Sequence, residues 1–397
     1  MELSRRVQAI KPSPTLAVTA RAAMLKASGR DIIGLGAGEP DFDTPQHIKD
    51  AAIGAINAGF TKYTAVDGTP SLKAAIIAKF KRDNGLDYAP KQILVSCGGK
   101  QSFFNLVQAV INPGDEVIIP APYWVSYPDI VILADGKPVT IEAGIEQGFK
   151  ITPAQLEAAI TSRTRLFVIN SPSNPTGAVY TREELAAIGE VLRKHPQVLI
   201  ATDDMYEHIR LNDVPFVNIL NTCPDLYDRT LVLNGVSKAY SMTGWRIGYA
   251  AGPETILRAM TNVQSQSTSN PTSISQVAAE AALNGAQGCM APMLAAFRER
   301  HRLVVDGLNA IPGFKCVDSG GAFYAFADAR AAISSLLARD IIEEGTDIAF
   351  SEYLLESADV AVVPGSAFGA EGYIRLSFAT SRDNLEKALA RLAAALA

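Results

Sequence analysis

The sequence predicts an α/β fold in which helices cover a mostly parallel β-sheet, with a smaller α+β domain beside it. Short and almost continuously apolar runs recur between about residues 93 and 250, and helical patterns separate most of them. Strands that are apolar on both faces are typical of a parallel sheet buried between two layers of helices. After residue 291 the pattern changes to a long, charged helical stretch followed by short strands. This change indicates a second lobe.

Six runs are predicted as strands of the sheet: 93–96, 116–120, 165–170, 198–203, 230–234 and 247–250. The helical patterns between them span 101–111, 153–160 and 182–194. In the C-terminal part, short strands are predicted near 321–326, 360–364 and 373–378, before a last helix. A helix over 15–27 and an extended stretch over 32–36 are expected to pack against that C-terminal lobe. We therefore expect a large domain over 46–295 and a small domain built from 1–45 and 296–397.

The composition argues against several functional classes. The 397 residues carry 36 Lys+Arg against 41 Asp+Glu, a net charge of −5, which speaks against nucleic acid or an anionic membrane as the main partner. The four histidines lack the spacing of the common zinc sites, and the four cysteines include no CxxC pair, so we expect neither a metal site nor a disulfide framework. The chain has no apolar segment of the signal-peptide or membrane-span type, and we expect a cytoplasmic protein.

Ligands of open α/β sheets bind at the carboxyl ends of the strands, so the residues that follow each predicted strand are candidates for a site. Gly98 and Gly99 follow the first strand and open a helix, where backbone N–H groups can approach a phosphate; a tight turn is the alternative. Gln101 after Lys100 excludes a Walker A loop. Trp124 follows the second strand and can stack on a planar ligand, or it is a core tryptophan.

The next three strand ends carry polar side chains. Two prolines between 171 and 177 hold Asn174 in one orientation, unless the segment is only a turn. Asp203 ends a buried strand, and burying its carboxylate there is costly without a cationic partner. Tyr206 reaches the same place if the chain turns into a helix. The alternative is that Asp203 is the N-cap of that helix. Lys238 lies among small and aromatic residues, and burial there would lower its pKa and provide the neutral amine that Schiff-base chemistry requires. The alternative is a solvated surface lysine.

Together these strand ends resemble those of the class I aminotransferases among the fold-type I pyridoxal-phosphate enzymes. The shared motifs are Asn-Pro-x-Gly at 174–177, Asp-x-x-Tyr at 203–206, and Ser-Lys at 237–238 followed by Gly-x-Arg at 244–246. The resemblance runs from about Lys11 to the C-terminus, and the segments 38–42 and 123–128 are similar to the bacterial and plant aspartate/prephenate branch. It implies a seven-stranded sheet in the large domain, pyridoxal 5′-phosphate as the cofactor, and a homodimer that shares its active sites.

The resemblance also implies a role for each matching residue. Lys238 binds the cofactor covalently and moves the proton between the two reacting carbons. Asp203 pairs with the pyridinium nitrogen, Tyr206 and Asn174 hydrogen-bond the ring oxygen O3′, and Trp124 stacks on the ring. The residues implied to hold the phosphate are Gly98, Gly99, Ser237, Arg246 and, from the neighbouring subunit, Tyr63.

The residues implied to contact the substrate are Gly38, Trp124, Asn174, Arg375, Lys100 and Thr15. Arg375 binds the α-carboxylate of the substrate through two parallel hydrogen bonds. The backbone of Gly38 or Gly36 approaches the same carboxylate. Lys100 and Thr15 recognise a distal carboxylate. Phe323 is implied as a pocket-lining aromatic, although a plain core residue would look the same.

This reading predicts an aminotransferase that acts on aspartate or glutamate with 2-oxoglutarate or oxaloacetate, and on prephenate as a larger acceptor. Two departures from the family pattern stand out: Gly98 in the phosphate loop and Gly235 three residues before the lysine. The alternatives are another pyridoxal-phosphate reaction on the same fold, such as a C–S lyase or a decarboxylase, a preference for aromatic or neutral substrates, or a nucleotide-binding module that uses the Gly-Gly loop.

Overall fold

The computed structural model describes residues 2–12 and 14–397. Its strands are, in chain order, β1 (Ile33–Gly34), β2 (Ile93–Ser96), β3 (Glu116–Ala121), β4 (Lys137–Glu142), β5 (Thr164–Asn170), β6 (Leu199–Asp203), β7 (Thr230–Gly235), β8 (Gly248–Ala251), β9 (Lys315–Cys316), β10 (Tyr324–Asp328), β11 (Val360–Ala361), β12 (Val363–Pro364) and β13 (Tyr373–Ser377). Its α-helices are α1 (Arg5–Ala9), α2 (Pro14–Ala27), α3 (Gln46–Asn57), α4 (Pro70–Lys79), α5 (Gly99–Val110), α6 (Ser126–Leu133), α7 (Pro153–Ala159), α8 (Arg182–Arg193), α9 (Glu254–Ser265), α10 (Ser273–Asn284), α11 (Ala291–Asn309), α12 (Arg330–Ala338), α13 (Asp347–Ala358) and α14 (Arg382–Leu396).

A seven-stranded sheet in the described residues forms the centre of the molecule, in the order β2-β8-β7-β6-β5-β3-β4. Strand β8 runs antiparallel to both of its neighbours, and every other neighbouring pair is parallel. All six predicted strands are present, with ends that differ by one or two residues. The predicted α/β class with a mostly parallel sheet is thereby confirmed.

Strand β4 is the one strand of this sheet that the sequence analysis missed. It lies at the sheet edge, where it pairs with β3 alone. Only Ile141 of its six residues is buried, and Lys137 and Glu142 are exposed. An edge strand with one buried residue carries no continuous apolar run, so the pattern that marks the other strands is absent here.

The sheet is buried on both faces, as its apolar strands require. Successive residues of a strand point to opposite faces. Ile118 and Phe167 belong to a core that includes buried residues of α4 and α10, and their neighbours Val117 and Leu166 belong to a core that includes buried residues of α5 and α9. Among the residues that the structure describes, no helix has both the length and the apolar character needed to cross a membrane.

The C-terminal part forms a lobe of its own, built around an antiparallel sheet in the order β12-β13-β10-β9. Its core includes buried residues of α11 to α14. The chain's beginning joins it: β1 pairs in parallel with β11, and Ala22 of α2 packs against Leu355. Helix α1 is an exception, because it packs on α6 beside the large sheet, and Arg6 forms an ion pair with Asp135 at 3.2 Å. The domain boundary predicted at 295/296 falls within α11 and stays a prediction.

The parallel strands bring polar residues to one edge of the large sheet. In the ladder register, Asn170 at the end of β5 lies opposite Asp203 at the end of β6. Asp203 in turn lies opposite Leu233 of β7, five residues before Lys238. Since these strands share one direction, the loops that leave their carboxyl ends meet beside one another. That edge faces β13 of the smaller lobe across a cavity.

Candidate active site

An open cavity of about 270 Å³ lies between the strand ends and the smaller lobe. Most of the residues that the sequence analysis selected line it: Thr15, Gly38, Gly99, Lys100, Trp124, Asn174, Asp203, Tyr206, Ser237, Lys238, Arg246 and Arg375. Gly98 and Tyr63 do not line the cavity, although Gly99, the neighbour of Gly98, does. The fold therefore brings together residues from position 15 to position 375 of the chain.

Lys238 follows β7 and projects into this cavity. Its ammonium group donates a hydrogen bond to the carbonyl oxygen of Gly38 and lies 6.0 Å from the centre of the Tyr206 ring. Burial, with the positive charges of Arg246 and Arg375, lowers the pKa of Lys238 to about 8. This agrees with the lowered pKa expected from the sequence. The neutral, nucleophilic amine is therefore accessible near physiological pH.

Asp203 lies beside Lys238 and also faces the cavity. Its carboxylate accepts hydrogen bonds from the Tyr127 hydroxyl at 2.6 Å and from the Met205 backbone N–H at 3.2 Å. Burial raises the pKa of Asp203 above its usual range, although the bond from Tyr127 opposes this. Residues 205–208 form a turn and not a helix, so the N-cap alternative is wrong. The turn still brings Tyr206 to the cavity.

The Gly98–Gly99 segment and Arg246 form a cationic corner. Helix α5 begins at Gly99, where the first backbone N–H groups have no intrahelical acceptor. Gly98 has φ +88°, and a Cβ there would lie 2.3 Å from Nη2 of Arg246. A side chain at position 98 would therefore displace the guanidinium. Ser237 completes a corner suited to an anion. Lys100 also lines the cavity, and burial together with the positive charge of Arg246 lowers its pKa.

Gly235, the second departure from the family pattern, also has a steric reason. A Cβ at this position would lie 3.0 Å from the Cα atom of Gly248 and 3.0 Å from the carbonyl oxygen of Ile247. Both contacts are with the backbone of the adjacent chain, which cannot move aside cheaply. The close approach of the β7 and β8 ends therefore requires glycine at position 235.

Arg375 lies across the cavity from this corner, on β13. Its side chain is buried, with only 2% of its surface exposed. Its guanidinium donates to Oδ1 of Asn174 at 2.9 Å and to the carbonyl oxygen of Gly36 at 2.7 Å. Its buried Nε–H has no hydrogen-bond partner in the described part of the chain. A buried cation with an unsatisfied donor suits a carboxylate ligand.

The remaining predicted residues occupy different places. Nζ of Lys100 lies 5.3 Å from the centre of the Trp124 ring, and Thr15 of α2 lines the same cavity. Tyr63 is 91% exposed and lies outside the cavity of this chain. Phe323 is fully buried in the core of the smaller lobe and does not line the cavity.

Two tyrosines of the site were missed. Tyr324, next to Phe323, lines the cavity, and its hydroxyl lies 2.8 Å from the hydroxyl of Tyr206. Tyr127 is the hydrogen-bond donor to Asp203. Tyr127 belongs to the 123–128 segment that carried the resemblance, and position within that segment was the one available signal. No spacing rule distinguishes Tyr324 from Phe323, because the choice depends on which side chain the loop before β10 turns toward the cavity.

A lysine with a lowered pKa, a part-buried aspartate at the neighbouring strand end and a helix start suited to an anion favour a cofactor-dependent enzyme of the α/β type. The comparisons with known proteins agree. Residues 30–392 match the family described as aminotransferase class I and II. An aspartate/prephenate aminotransferase from Nitrosomonas europaea is 70% identical over 396 residues, which cover 100% of both chains. The chain belongs to this aminotransferase family.

Solved structures give the same result for the fold. The aspartate aminotransferase of Rhizobium meliloti superposes with a TM-score of 0.94 at 50% identity, covering 100% of this chain and 99% of that one. The aspartate aminotransferase of Thermus thermophilus with maleate superposes with a TM-score of 0.92 at 45% identity, covering 100% of both chains. The protein is therefore an aminotransferase, and its family depends on pyridoxal phosphate.

The residues of the cavity fit pyridoxal phosphate. Lys238 provides the amine for its aldehyde, and the corner of Gly98, Gly99 and Arg246 provides donors for a phosphate group. The part-buried carboxylate of Asp203 has no bonded cation among the described residues, so a protonated ring nitrogen would satisfy it. The acid, the amine and the anion site thus match the three polar parts of the cofactor.

Proposed function

We propose that this enzyme transfers the amino group between a dicarboxylic amino acid, aspartate or glutamate, and 2-oxoglutarate or oxaloacetate, with prephenate as a larger acceptor. The single observation that carries the proposal is the placement of cations around the cavity. Arg375 lies on the side of the smaller lobe, Lys100 lies beside Trp124, and Thr15 lines the same cavity. A substrate with two carboxylates can therefore engage both cations. The Nitrosomonas europaea relative carries the name aspartate/prephenate aminotransferase, and the Thermus thermophilus structure contains maleate, a dicarboxylate.

The bound cofactor supplies an electron sink that makes the α-hydrogen of an amino acid acidic. Lys238 is the base that removes this proton and the acid that returns it. Its pKa of about 8 allows the amine both to accept and to donate a proton near neutral pH. Arg375 holds the α-carboxylate, and this orientation selects loss of the proton over loss of carbon dioxide. Asp203 would pair with the ring nitrogen and favour its protonated form. The amino group then passes to a second substrate at the same site, which requires ping-pong kinetics.

The test is an assay with L-aspartate and 2-oxoglutarate in which oxaloacetate is measured through a coupled reduction. We expect turnover, with parallel double-reciprocal plots that are typical of a ping-pong mechanism. A panel of amino donors against 2-oxoglutarate and prephenate then orders the substrates. The outcome that would contradict the proposal is an enzyme that binds the cofactor but exchanges amino groups with no acceptor, as expected of a lyase or a decarboxylase.

Lys100→Ala is expected to lower kcat/KM for aspartate and prephenate by about 10- to 100-fold, the cost of losing one charged hydrogen bond. For a monocarboxylic donor such as alanine the loss should stay below about threefold, since that substrate has no distal carboxylate to bind. Steady-state kinetics with the three substrates measures the difference.

Lys91→Ala is the matched control, because Lys91 is a surface lysine with 78% exposure that pairs with Glu254. It should leave all three values unchanged. Equal losses for dicarboxylic and monocarboxylic substrates in Lys100→Ala would refute the assignment of Lys100 to the distal carboxylate.

We further propose that two copies of the chain form a dimer that shares its active sites. Tyr63 is 91% exposed in the single chain, and the same region exposes three apolar side chains, those of Ile53, Ile56 and Phe60, by 39–52%. Large apolar side chains exposed together favour contact with a partner surface. In such a dimer Tyr63 would reach the phosphate-binding corner of the other subunit.

Sedimentation equilibrium is expected to give a mass of about twice 42.2 kDa. Tyr63→Phe should remain dimeric and release the cofactor about 10-fold more readily, because one hydrogen bond to a charged phosphate is lost. Tyr353→Phe, which removes a hydroxyl bonded to the carbonyl oxygen of Ala395 in the smaller lobe, is the control. A monomeric enzyme, or equal cofactor retention in Tyr63→Phe and the wild type, would contradict the shared site.

Two further expectations join the proposal. We infer a two-domain organisation over 46–295 and over 1–45 with 296–397, supported by the two separate sheets. We also infer a cytoplasmic location, which the absence of disulfide bonds in the described residues supports. Limited proteolysis and cell fractionation test them.

A further inference from the structure

Tyr324 connects two groups of the active site that belong to different lobes. It lies at the start of β10 in the smaller lobe and is fully buried. Its hydroxyl is 2.8 Å from the hydroxyl of Tyr206, which follows β6 of the large sheet. The guanidinium carbon of Arg375 lies 4.5 Å from the centre of the Tyr324 ring, within the range of a cation–π contact.

The direction of the hydrogen bond between the two hydroxyls follows from the proposed function. If Tyr206 donates its proton to the ring oxygen of the cofactor, its own oxygen is left as an acceptor. Tyr324 is then the donor to Tyr206. A hydroxyl that accepts a hydrogen bond is polarised and becomes a stronger donor itself. Tyr324 thereby strengthens the bond that Tyr206 makes.

Arg375 acts on the same chain of hydrogen bonds through the Tyr324 ring. Burial raises the pKa of Tyr324, and the positive charge of Arg375 opposes this, so the hydroxyl is a better donor than burial alone would leave it. A carboxylate bound to Arg375 neutralises this charge. Occupation of the substrate site then weakens the bond from Tyr324 to Tyr206.

We propose that Tyr324 is a positioning residue that couples the binding of a substrate carboxylate at Arg375 to the donor strength of Tyr206 at the cofactor. The inference rests on the proposed function and adds to it a named link between the two lobes. Carboxylate binding weakens donation to the ring oxygen, so the lysine nitrogen attached to the cofactor holds its proton more tightly. Substrate binding at one end of the cavity thus adjusts protonation at the other.

The protonation of that lysine nitrogen also responds to its charged neighbours, which the test must leave in place. Asp203 of β6, Arg246, Arg375 of β13 and Glu39 of the N-terminal segment all act on Lys238. The experiment therefore changes only hydroxyl groups.

The readout is a pH titration of the visible absorbance of the enzyme loaded with pyridoxal phosphate. Tyr324→Phe should raise the midpoint by about 0.3–1 pH unit, the effect of one lost hydrogen bond. Maleate, a dicarboxylate without an amino group, should raise the midpoint in the wild type and raise it less in Tyr324→Phe. Tyr206→Phe should raise the midpoint more, and adding Tyr324→Phe to it should cause no further change, because the effect passes through Tyr206.

Tyr180→Phe is the matched control. It removes another buried hydroxyl, which accepts from the backbone N–H of Ile151 away from the cavity, and it should leave the midpoint unchanged. A second variant places 3-fluorotyrosine at position 324, which preserves the shape and makes the hydroxyl more acidic. It should lower the midpoint, the opposite sign to Tyr324→Phe, and it serves even where the phenylalanine variant folds poorly.

The possible failures are distinct. A wild-type protein that develops no visible absorbance with pyridoxal phosphate would overturn the proposed function. A wild-type protein that titrates normally, with additive effects of Tyr206→Phe and Tyr324→Phe or with no shift in either Tyr324 variant, would overturn the coupling alone.

Discussion

Lys238→Ala is expected to lower kcat for amino transfer by at least about 10⁴-fold, because the variant loses both the amine that holds the cofactor and the base that moves the proton. Among the described residues, Lys238 and Lys100 are the two lysines that line the cavity, and Lys100 lies beside Trp124. The measurement is single-turnover conversion of aspartate, followed by product analysis over hours.

Two controls separate chemistry from folding. Without cofactor, the circular dichroism and thermal unfolding of Lys238→Ala should match those of the wild type, since the side chain faces a cavity and, among the described residues, its ammonium group bonds only to the carbonyl oxygen of Gly38. Lys91→Ala, at an exposed surface position, should keep full activity. Retention of more than about 1% of kcat in Lys238→Ala would remove Lys238 from its assigned role.

Lys79→Met is expected to cost about 3–5 kcal/mol of the free energy of unfolding, the usual effect of leaving a buried charge without its partner. Lys79 ends α4, and its side chain is 1% exposed. Its ammonium group bonds to Glu207 and, at 2.7 Å, to Oδ1 of Asn84. Glu207 also accepts from Nδ2 of Asn234 at 2.7 Å. Burial raises the pKa of Glu207, but the nearby Lys79 and His208 lower it by more than that. The pKa therefore lies below its usual range, and the carboxylate stays charged.

The position of this network gives the variant a second expected effect. Glu207 directly follows Tyr206, and Asn234 lies four residues before Lys238. The network therefore joins the two segments that carry the cofactor-binding residues. Urea unfolding of the cofactor-free protein measures the stability loss, and the affinity for pyridoxal phosphate should fall along with it.

The chain itself offers a matched control for Lys79. Lys81 lies two residues further on and pairs with Asp87 on the surface, where the two side chains are 62% and 76% exposed. Lys81→Met should cost only about 0–1 kcal/mol, because water screens an exposed pair. Adding Glu207→Gln to Lys79→Met removes the unpaired charge and should recover part of the loss. Equal costs for Lys79→Met and Lys81→Met would contradict the buried-pair account.

Much of this site could be predicted because its residues follow the strands in sequence. Asp203 ends an apolar run, Asn174 and Lys238 each come four residues after one, and parallel strands place their carboxyl ends at one edge. Strand β4 could not be predicted in this way, because an edge strand buries too few residues to show an apolar run. The sequence pattern also could not show that Tyr324 and not Phe323 lines the cavity, because the two aromatic residues are adjacent in the chain.

The sequence by itself determined the α/β class, the strand ends and the order of the residues with reactive or charged side chains, because apolar periodicity and local motifs are properties of neighbouring positions. The tertiary structure alone decided which distant groups meet. Arg375 bonds to the carbonyl oxygen of Gly36 across 339 positions of the chain, and Tyr324 meets Tyr206 across 118. Contacts of this kind depend on how two lobes pack, and side-chain packing across a gap leaves no periodic trace in the sequence.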